Sequence, residues 1–336
     1  MEVAATPPQE MSALVAAVVQ GDCIKVDLLA GQASTRRYYR VRTTGRPTSV
    51  VVMVVPPEDR ALEPAAYPFL NVHAYLHGHR YPVPQVLRQD LAGGMIVLED
   101  LGDETLELAF RARPPSQSHS LYAAAVSLIG ALQKLPPDPD CLAFGRRFDF
   151  KLLRWELDHF RQWLLQEGRG IQLNGSDSAA VESAFDRMAT ELAAAPQVLV
   201  HRDFQSRNLM VESSGQIRVI DFQDALMGSQ VYDLVALLRD SYVPLDNTQV
   251  FNFIDNFSVQ WGLELDQTRR LFHLQTAQRK LKDAGRFVFI DRQRGNPNFL
   301  PSIPLSLSYV GHALANLPDY KDLHQVLARH VPELNV

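Results

Sequence analysis

The tightest constraint on how this chain can fold is the stretch 198–224, where short apolar runs alternate with loops dense in charge and amides. Val198-Leu199-Val200 leads into His201-Arg202-Asp203, Asn208 opens a second run at 208–211, and a third at 217–220 ends on Asp221-Phe222-Gln223-Asp224. Runs of this length are too short for helices and read as strands. A hairpin made of the second and third runs would bring Asn208 and Asp221 together although thirteen residues separate them. On both sides the pattern is helical, so a mostly helical body must carry this small β insertion.

Apolar residues spaced three and four apart cover 121–132, 149–166 and 179–194, and helices resume from Tyr232 to the end. Ahead of residue 102 the pattern differs. A helix over 10–20, stopped by Gly21, precedes β-branched or aromatic runs at 26–29, 37–41 and 50–55, separated by Gly31 and by Gly45-Arg46-Pro47. Short runs broken by turn residues form an antiparallel meander. A helix over 64–76 with Pro64 in its first turn, then strands at 85–88 and 95–98, lead to the polar break Glu99-Asp100-Leu101-Gly102. The expected fold class is α+β: a small antiparallel-sheet N-terminal lobe, 1–101, and a larger, mainly helical C-terminal lobe, 102–336. Two lobes with a cleft between them also suit a length of 336 residues, more than one core usually organises.

Composition removes several classes. The net charge is −5 and no block of five Lys or Arg occurs, which leaves no electrostatic footprint for nucleic acid. The longest apolar run, 50–55, is too short to cross a bilayer, and the N-terminus lacks the basic region and apolar stretch of an export signal. Cys23 and Cys141 stand far apart without partners at metal spacing, so neither a disulfide framework nor a zinc site is supported. A cytoplasmic monomer with no nucleic-acid or membrane partner is expected.

His-Arg-Asp, then Asn five after the Asp, then Asp-Phe thirteen after the Asn, is the catalytic-loop and metal-loop pattern of kinases, with Gln223 where protein kinases carry Gly. Phosphoryl transfer needs a carboxylate to orient the attacking hydroxyl and magnesium to neutralise the departing phosphates. Asp203 suits the first task. Asn208 and Asp221 supply the oxygen ligands that Mg2+ prefers. Singly, each of these residues reads equally as a turn former; their joint spacing carries the assignment. His201 reads as packing for the loop, and Asp233 as its hydrogen-bonded brace.

The whole chain resembles the aminoglycoside phosphotransferase and choline kinase superfamily, and within it the anomeric kinases of N-acetylmuramate and N-acetylglucosamine. The resemblance is carried by residues 30–41, by Leu98-Glu99-Asp100-Leu101-Gly102-Asp103, by Asp221-Phe222-Gln223-Asp224-Ala225 with Tyr232-Asp233-Leu234, and by residues 278–287. It implies a bilobal protein-kinase-like fold, ATP and Mg2+ as cofactors, and phosphorylation of an anomeric hydroxyl in cell-wall sugar recycling. The adenine would lie against the connector at Glu99 and Leu101, and Ser34 and Thr35 would approach the phosphates. The strand at 50–55 lacks the phosphate-pairing lysine of most relatives, which leaves Arg37 or Arg40 as the candidate cation. Gln205, Arg207 and Asp224 would face the sugar, though Arg207 serves equally as an ion-pair partner. Arg239 and Arg286 read as structural, although a lactyl carboxylate would need some cation. The many basic residues between 269 and 294 favour a neutral or anionic sugar over the alternative acceptors, an aminoglycoside, choline or an amino alcohol. The missing lysine leaves one further alternative, a nucleotide-binding pseudokinase scaffold.

Overall fold

The computed structural model describes residues 9–29 and 36–335, which divide into two compact units. One holds the residues up to Glu104 together with Met210–Gln223; the other holds Thr105–Leu209 and the chain from Asp224 on.

The chain opens with helix α1 (Gln9–Ala16), strands β1 (Cys23–Leu29), β2 (Arg37–Thr43) and β3 (Ser49–Val54), helix α2 (Pro68–Gly78), and strands β4 (Val86–Asp90) and β5 (Met95–Glu99). The strands form one antiparallel sheet in the order β1-β2-β3-β5-β4, with Val52 opposite Tyr39 on one side and Val97 on the other. Alternation along the strands sends Val26, Val41, Val50, Val52, Met95 and Val97 into one cluster, where Met11, Leu14, Val15 and Val19 cover them. Helix α2 begins at Pro68, and Pro64 lies in the turn before it. As first helical residue Pro68 loses nothing. In a helix begun at Pro64 its missing N–H would leave the Pro64 carbonyl unbonded.

Next come α3 (Leu106–Ala112), α4 (Pro115–Gln133), α5 (Phe150–His159), whose winding continues as π-helix over Phe160–Gly168, and α6 (Gly175–Ala194). Strands β6 (Gln197–Val200), β7 (Leu209–Val211), β8 (Ile217–Val219) and β9 (Leu226–Ser229) follow; β7 pairs with β8, and β6 with β9. Helices α7 (Tyr232–Leu238), α8 (Asn247–Trp261), α9 (Leu265–Arg294), α10 (Ile303–Ala315) and α11 (Lys321–His330) complete the chain. The core of the helical unit is built by α5, α6, α9, α10 and α11, with Phe160, Phe185, Leu281, Leu307 and Leu327 among its fully buried members. The 30 residues of α9 span about 45 Å at 1.5 Å per residue. Gly285 lets α9 meet α5 backbone to backbone: a Cβ there would stand 2.6 Å from the His159 carbonyl oxygen and 2.7 Å from the Phe160 Cα.

The β7–β8 segment groups with the sheet unit through its own bonds. Val219 N donates to the Pro82 carbonyl and Val211 N to that of Glu104, both at 2.8 Å. Arg218 reaches the Val83 carbonyl and the Glu99 carboxylate, each at 2.7 Å. Among the described residues no helix is long and apolar enough to cross a membrane.

Candidate active site

Strand β6, held by β9, delivers the loop 201–208 in the helical unit. Asp233, fully buried in the first turn of α7, accepts hydrogen bonds from the backbone N–H of His201 at 2.7 Å and of Arg202 at 3.0 Å. These bonds hold Arg202 at φ 79°, a left-handed conformation that costs a non-glycine residue roughly 1 kcal/mol or more. The chain then presents Asp203, whose side chain is 37% exposed. Arg279 of α9, completely buried, donates to Asp203 Oδ1 at 3.1 Å and to the Arg202 carbonyl at 2.6 Å. Burial pushes the Asp203 carboxyl up, but Arg279, Lys282, Arg202 and His201 outweigh it and hold the group below its ordinary value. Asp203 is therefore an anion at neutral pH, ready to accept a hydrogen bond from a hydroxyl.

The rest of the loop is tied equally closely. Asn208 Nδ2 donates to the Asp203 carbonyl at 2.8 Å, which sets the direction of its amide oxygen. Buried Asp240 accepts from both Ser206 N and Ser206 Oγ. Gln205 is half-buried, and its N–H turns back to the Asp203 carbonyl. Arg207 pairs with Glu107 at 2.5 Å and lies over the Tyr242 ring at 3.5 Å, so its charge is engaged by the protein itself. Asp224 is exposed and lies in the field of Arg146 and Arg202.

In the sheet unit, Asp221 follows β8 at φ 67°. Among the described residues three non-glycine residues adopt positive φ, and two of them, Arg202 and Asp221, lie in these loops. Such strain persists only where surrounding contacts enforce it, and it gathers at functional sites. Here Phe222 packs on Phe69, with 5.1 Å between ring centroids, and Gln223 Nε2 donates to Asp221 Oδ1 at 2.8 Å. The residue that stands where protein kinases carry Gly thus orients the acid. Arg37 is exposed on β2, whereas Arg40 is buried and fully engaged, bonding Asp100, Asp103 and the Gly102 carbonyl. Arg40 therefore pins the connector, a task its sequence setting beside Arg37 did not suggest. Arg36 donates to the Tyr67 hydroxyl, and both Arg36 and Asp221 act electrostatically on the Tyr38 phenol. Glu99 accepts from Gln85 N and Arg218, and Leu101 is half-buried. Ser34 and Thr35 lie outside the described residues.

Asn208, in the helical unit, and Asp221, in the sheet unit, each carry the type of oxygen donor that a hard cation such as Mg2+ takes while retaining waters. Among the described residues no group of three His, Cys, Asp or Glu forms a cage of the kind that transition metals use. Pattern reading missed the part played by Arg279 and Asp240. The available signal was Arg279-Lys280-Leu281-Lys282-Asp283, four charged residues within five positions of a long helix.

The sequence profile of the phosphotransferase enzyme family matches residues 25–271. The chain belongs to this family. The phosphotransferase is 32% identical over 306 residues to an N-acetylmuramate/N-acetylglucosamine kinase of Pseudomonas aeruginosa, covering 89% of this chain and 86% of that one. It is 31% identical to the protein of the same name from Neisseria meningitidis, covering 90% and 89% of the two chains. Its fold is that of the choline kinase LicA from Streptococcus pneumoniae (TM-score 0.62, 15% identity, 93% of this chain and 97% of that one). It is likewise that of the ADP-bound aminoglycoside phosphotransferase APH(2'')-Ib (TM-score 0.61, 14% identity, 90% and 99%). This phosphotransferase is thus a small-molecule kinase with the bilobal kinase-like architecture.

Proposed function

We propose that this enzyme transfers the γ-phosphoryl group of ATP, bound with magnesium, to the anomeric hydroxyl of N-acetylmuramate, N-acetylglucosamine or both. The observation that carries the chemistry is an Asp203 kept anionic by buried Arg279 on a loop braced by Asp233 and Asp240; the acceptor follows from relatives that share about 30% identity over nearly the full chain. Asp203 accepts a hydrogen bond from the acceptor hydroxyl and aims its oxygen at the γ-phosphorus; as that bond forms, the bond to the ADP oxygen breaks and the hydroxyl proton passes to Asp203. Asn208 and Asp221 hold the metal. Magnesium, when bound, neutralises charge on the phosphates.

Backbone groups of the connector from Glu99 to Leu101 receive the adenine, with Ser34, Thr35 and Arg37 on the phosphate side. Gln205 and Asp224 bond sugar hydroxyls, and Arg207, through Glu107, fixes the loop that presents Gln205. Two free cysteines, Cys23 and Cys141, support a cytoplasmic location, and the enzyme acts as a monomer.

The test is release of ADP with each sugar, followed by NMR assignment of the phosphate to carbon 1. Asp203→Ala is expected to lower kcat by roughly three orders of magnitude or more while remaining folded, and Asp221→Asn to abolish magnesium-dependent turnover. Near-native turnover of the Asp203 variant, or the absence of sugar-dependent ADP release from the wild type, would refute the reading.

A further inference from the structure

Beyond Arg279, helix α9 carries two more cations on the stripe that meets the catalytic loop. Arg279, Lys282 and Arg286 are spaced i, i+3 and i+7 and therefore share one helix face. Arg279 is committed to Asp203 and the Arg202 carbonyl. Among the described residues Lys282 bonds Asp283, which also receives Lys280 at 2.9 Å and stands 3.9 Å from Arg279, and Lys282 lies in the field of Glu156 and the Tyr232 phenol as well. Arg286 has no ion pair or hydrogen bond among the described residues; its guanidinium lies over the Phe289 ring at 4.6 Å. The other charges that act on it are Arg294 and Arg202, of like sign, and Asp203.

An independent observation comes from the facing helix. His159 of α5, 7% exposed, leaves Nε2 buried without a hydrogen-bond partner. It packs on the same Phe289 at 5.2 Å, and its carbonyl touches the turn of α9 at Gly285. Burial, with Arg286 and Lys282 nearby, pushes its pKa down to about 4, so the ring is neutral at pH 7 and can donate one N–H without adding charge. A buried imidazole nitrogen without a partner, beside an Arg286 guanidinium that meets no acid within hydrogen-bonding reach among the described residues, is chemistry that suits a carboxylate ligand.

The placement identifies the anion. Arg286 stands seven residues along α9 from Arg279, about 10 Å at 1.5 Å per residue. Lys282 and Arg286 both act electrostatically on Asp203, so with a sugar's anomeric hydroxyl on Asp203 a carboxylate carried a few bonds away, as on the lactyl ether at carbon 3, has these two cations as its partners along α9. Of the two sugars in the relatives' names, N-acetylmuramate bears a carboxylate and N-acetylglucosamine does not. We propose that Lys282, Arg286 and His159 form a carboxylate subsite that makes N-acetylmuramate the preferred acceptor. This inference rests on the sugar-kinase reading above.

The experiment compares kcat/KM for both sugars in wild type, Arg286→Gln, Arg286→Lys and Arg286→Met, with thermal melts to establish folding and calorimetry of each sugar in the absence of ATP. Loss of one charge-assisted hydrogen bond is expected to lower kcat/KM for N-acetylmuramate roughly 10- to 100-fold in Arg286→Gln. The value for N-acetylglucosamine should fall far less, and Arg286→Lys should retain most of the preference. Equal losses on both sugars, or no loss on either, overturn the subsite. If Arg286→Gln does not fold, the same comparison between Arg286→Lys and Arg286→Met, which keeps an aliphatic stem and removes the charge, decides. A wild type that phosphorylates neither sugar refutes the functional reading instead, and the subsite is then judged by calorimetry alone: N-acetylmuramate must bind more tightly than N-acetylglucosamine, and a variant must erase the difference, or the subsite is wrong.

Discussion

Replacing Asp233 tests whether the catalytic loop is held by one buried carboxylate. In the folded protein its two oxygens accept the N–H groups of His201 and Arg202, and the side chain has no exposure to water. Hydrogen bonds to a charged group contribute about 1.5–3 kcal/mol each, and a buried donor stripped of its partner costs about 1–3 kcal/mol. Asp233→Ala removes both acceptors at once and should destabilise the protein by about 3–5 kcal/mol, a large part of the usual 5–15 kcal/mol total. Asp233→Asn keeps one accepting oxygen but turns an NH2 toward the other N–H, so its loss should fall near half of that. Because Arg202 depends on these bonds for its left-handed conformation, both variants should also lower kcat, in the order Asn then Ala. Urea unfolding followed by far-UV circular dichroism measures the stability, and initial rates at saturating substrates measure kcat. An Asp233→Ala protein within 0.5 kcal/mol of wild type (roughly the scatter of neutral surface substitutions), with kcat intact, would show that the loop holds its shape without the brace.

Two further outcomes follow from burial and close approach. His159 has a folded pKa near 4, below the ordinary value, so between pH 6.5 and 4 the unfolded chain takes up a proton that the folded chain refuses; its contribution is complete above pH 6.5 and declines by up to about 1.4 kcal/mol per pH unit below it. His159→Gln should therefore flatten the fall in urea midpoint between pH 6.5 and 5, and an unchanged slope would contradict the burial argument. Gly285→Ala forces a methyl to within 2.6 Å of the His159 carbonyl oxygen, and should cost about 2–4 kcal/mol because both contacts are backbone; a melting temperature equal to wild type would refute that packing.

The strands of the meander were readable because their β-branched runs alternate in burial and are bounded by turn residues. Asp203, Asn208 and Asp221 stood out as candidates because types and spacing of this kind answer to chemistry more than to packing. What escaped was decided by tertiary contact. Helix α3 has only seven residues and is anchored by Thr105, which caps the Leu108 N–H, too short a segment for periodicity to register. Strand β9 reads Leu-Met-Gly-Ser, a poor strand sequence that becomes one because β6 lies alongside it. Arg40 offered itself as a candidate cation for the phosphates, yet the connector folds its carboxylates over it. Arg279 finds Asp203 from 76 positions away, a separation no local pattern can bridge.

The assignment of Met210–Gln223 to the sheet unit bears on how the protein is made. Arg218 and the Glu99 it bonds lie 119 residues apart, so when the first five strands leave the ribosome their last partners have not yet been synthesised. The sheet must wait, with Phe69 and the Pro82 carbonyl unmatched, through the translation of α3 to α6. A gene fragment ending at Glu104 would encode the sheet without these partners, so the sheet unit is not the product of one continuous stretch of the gene.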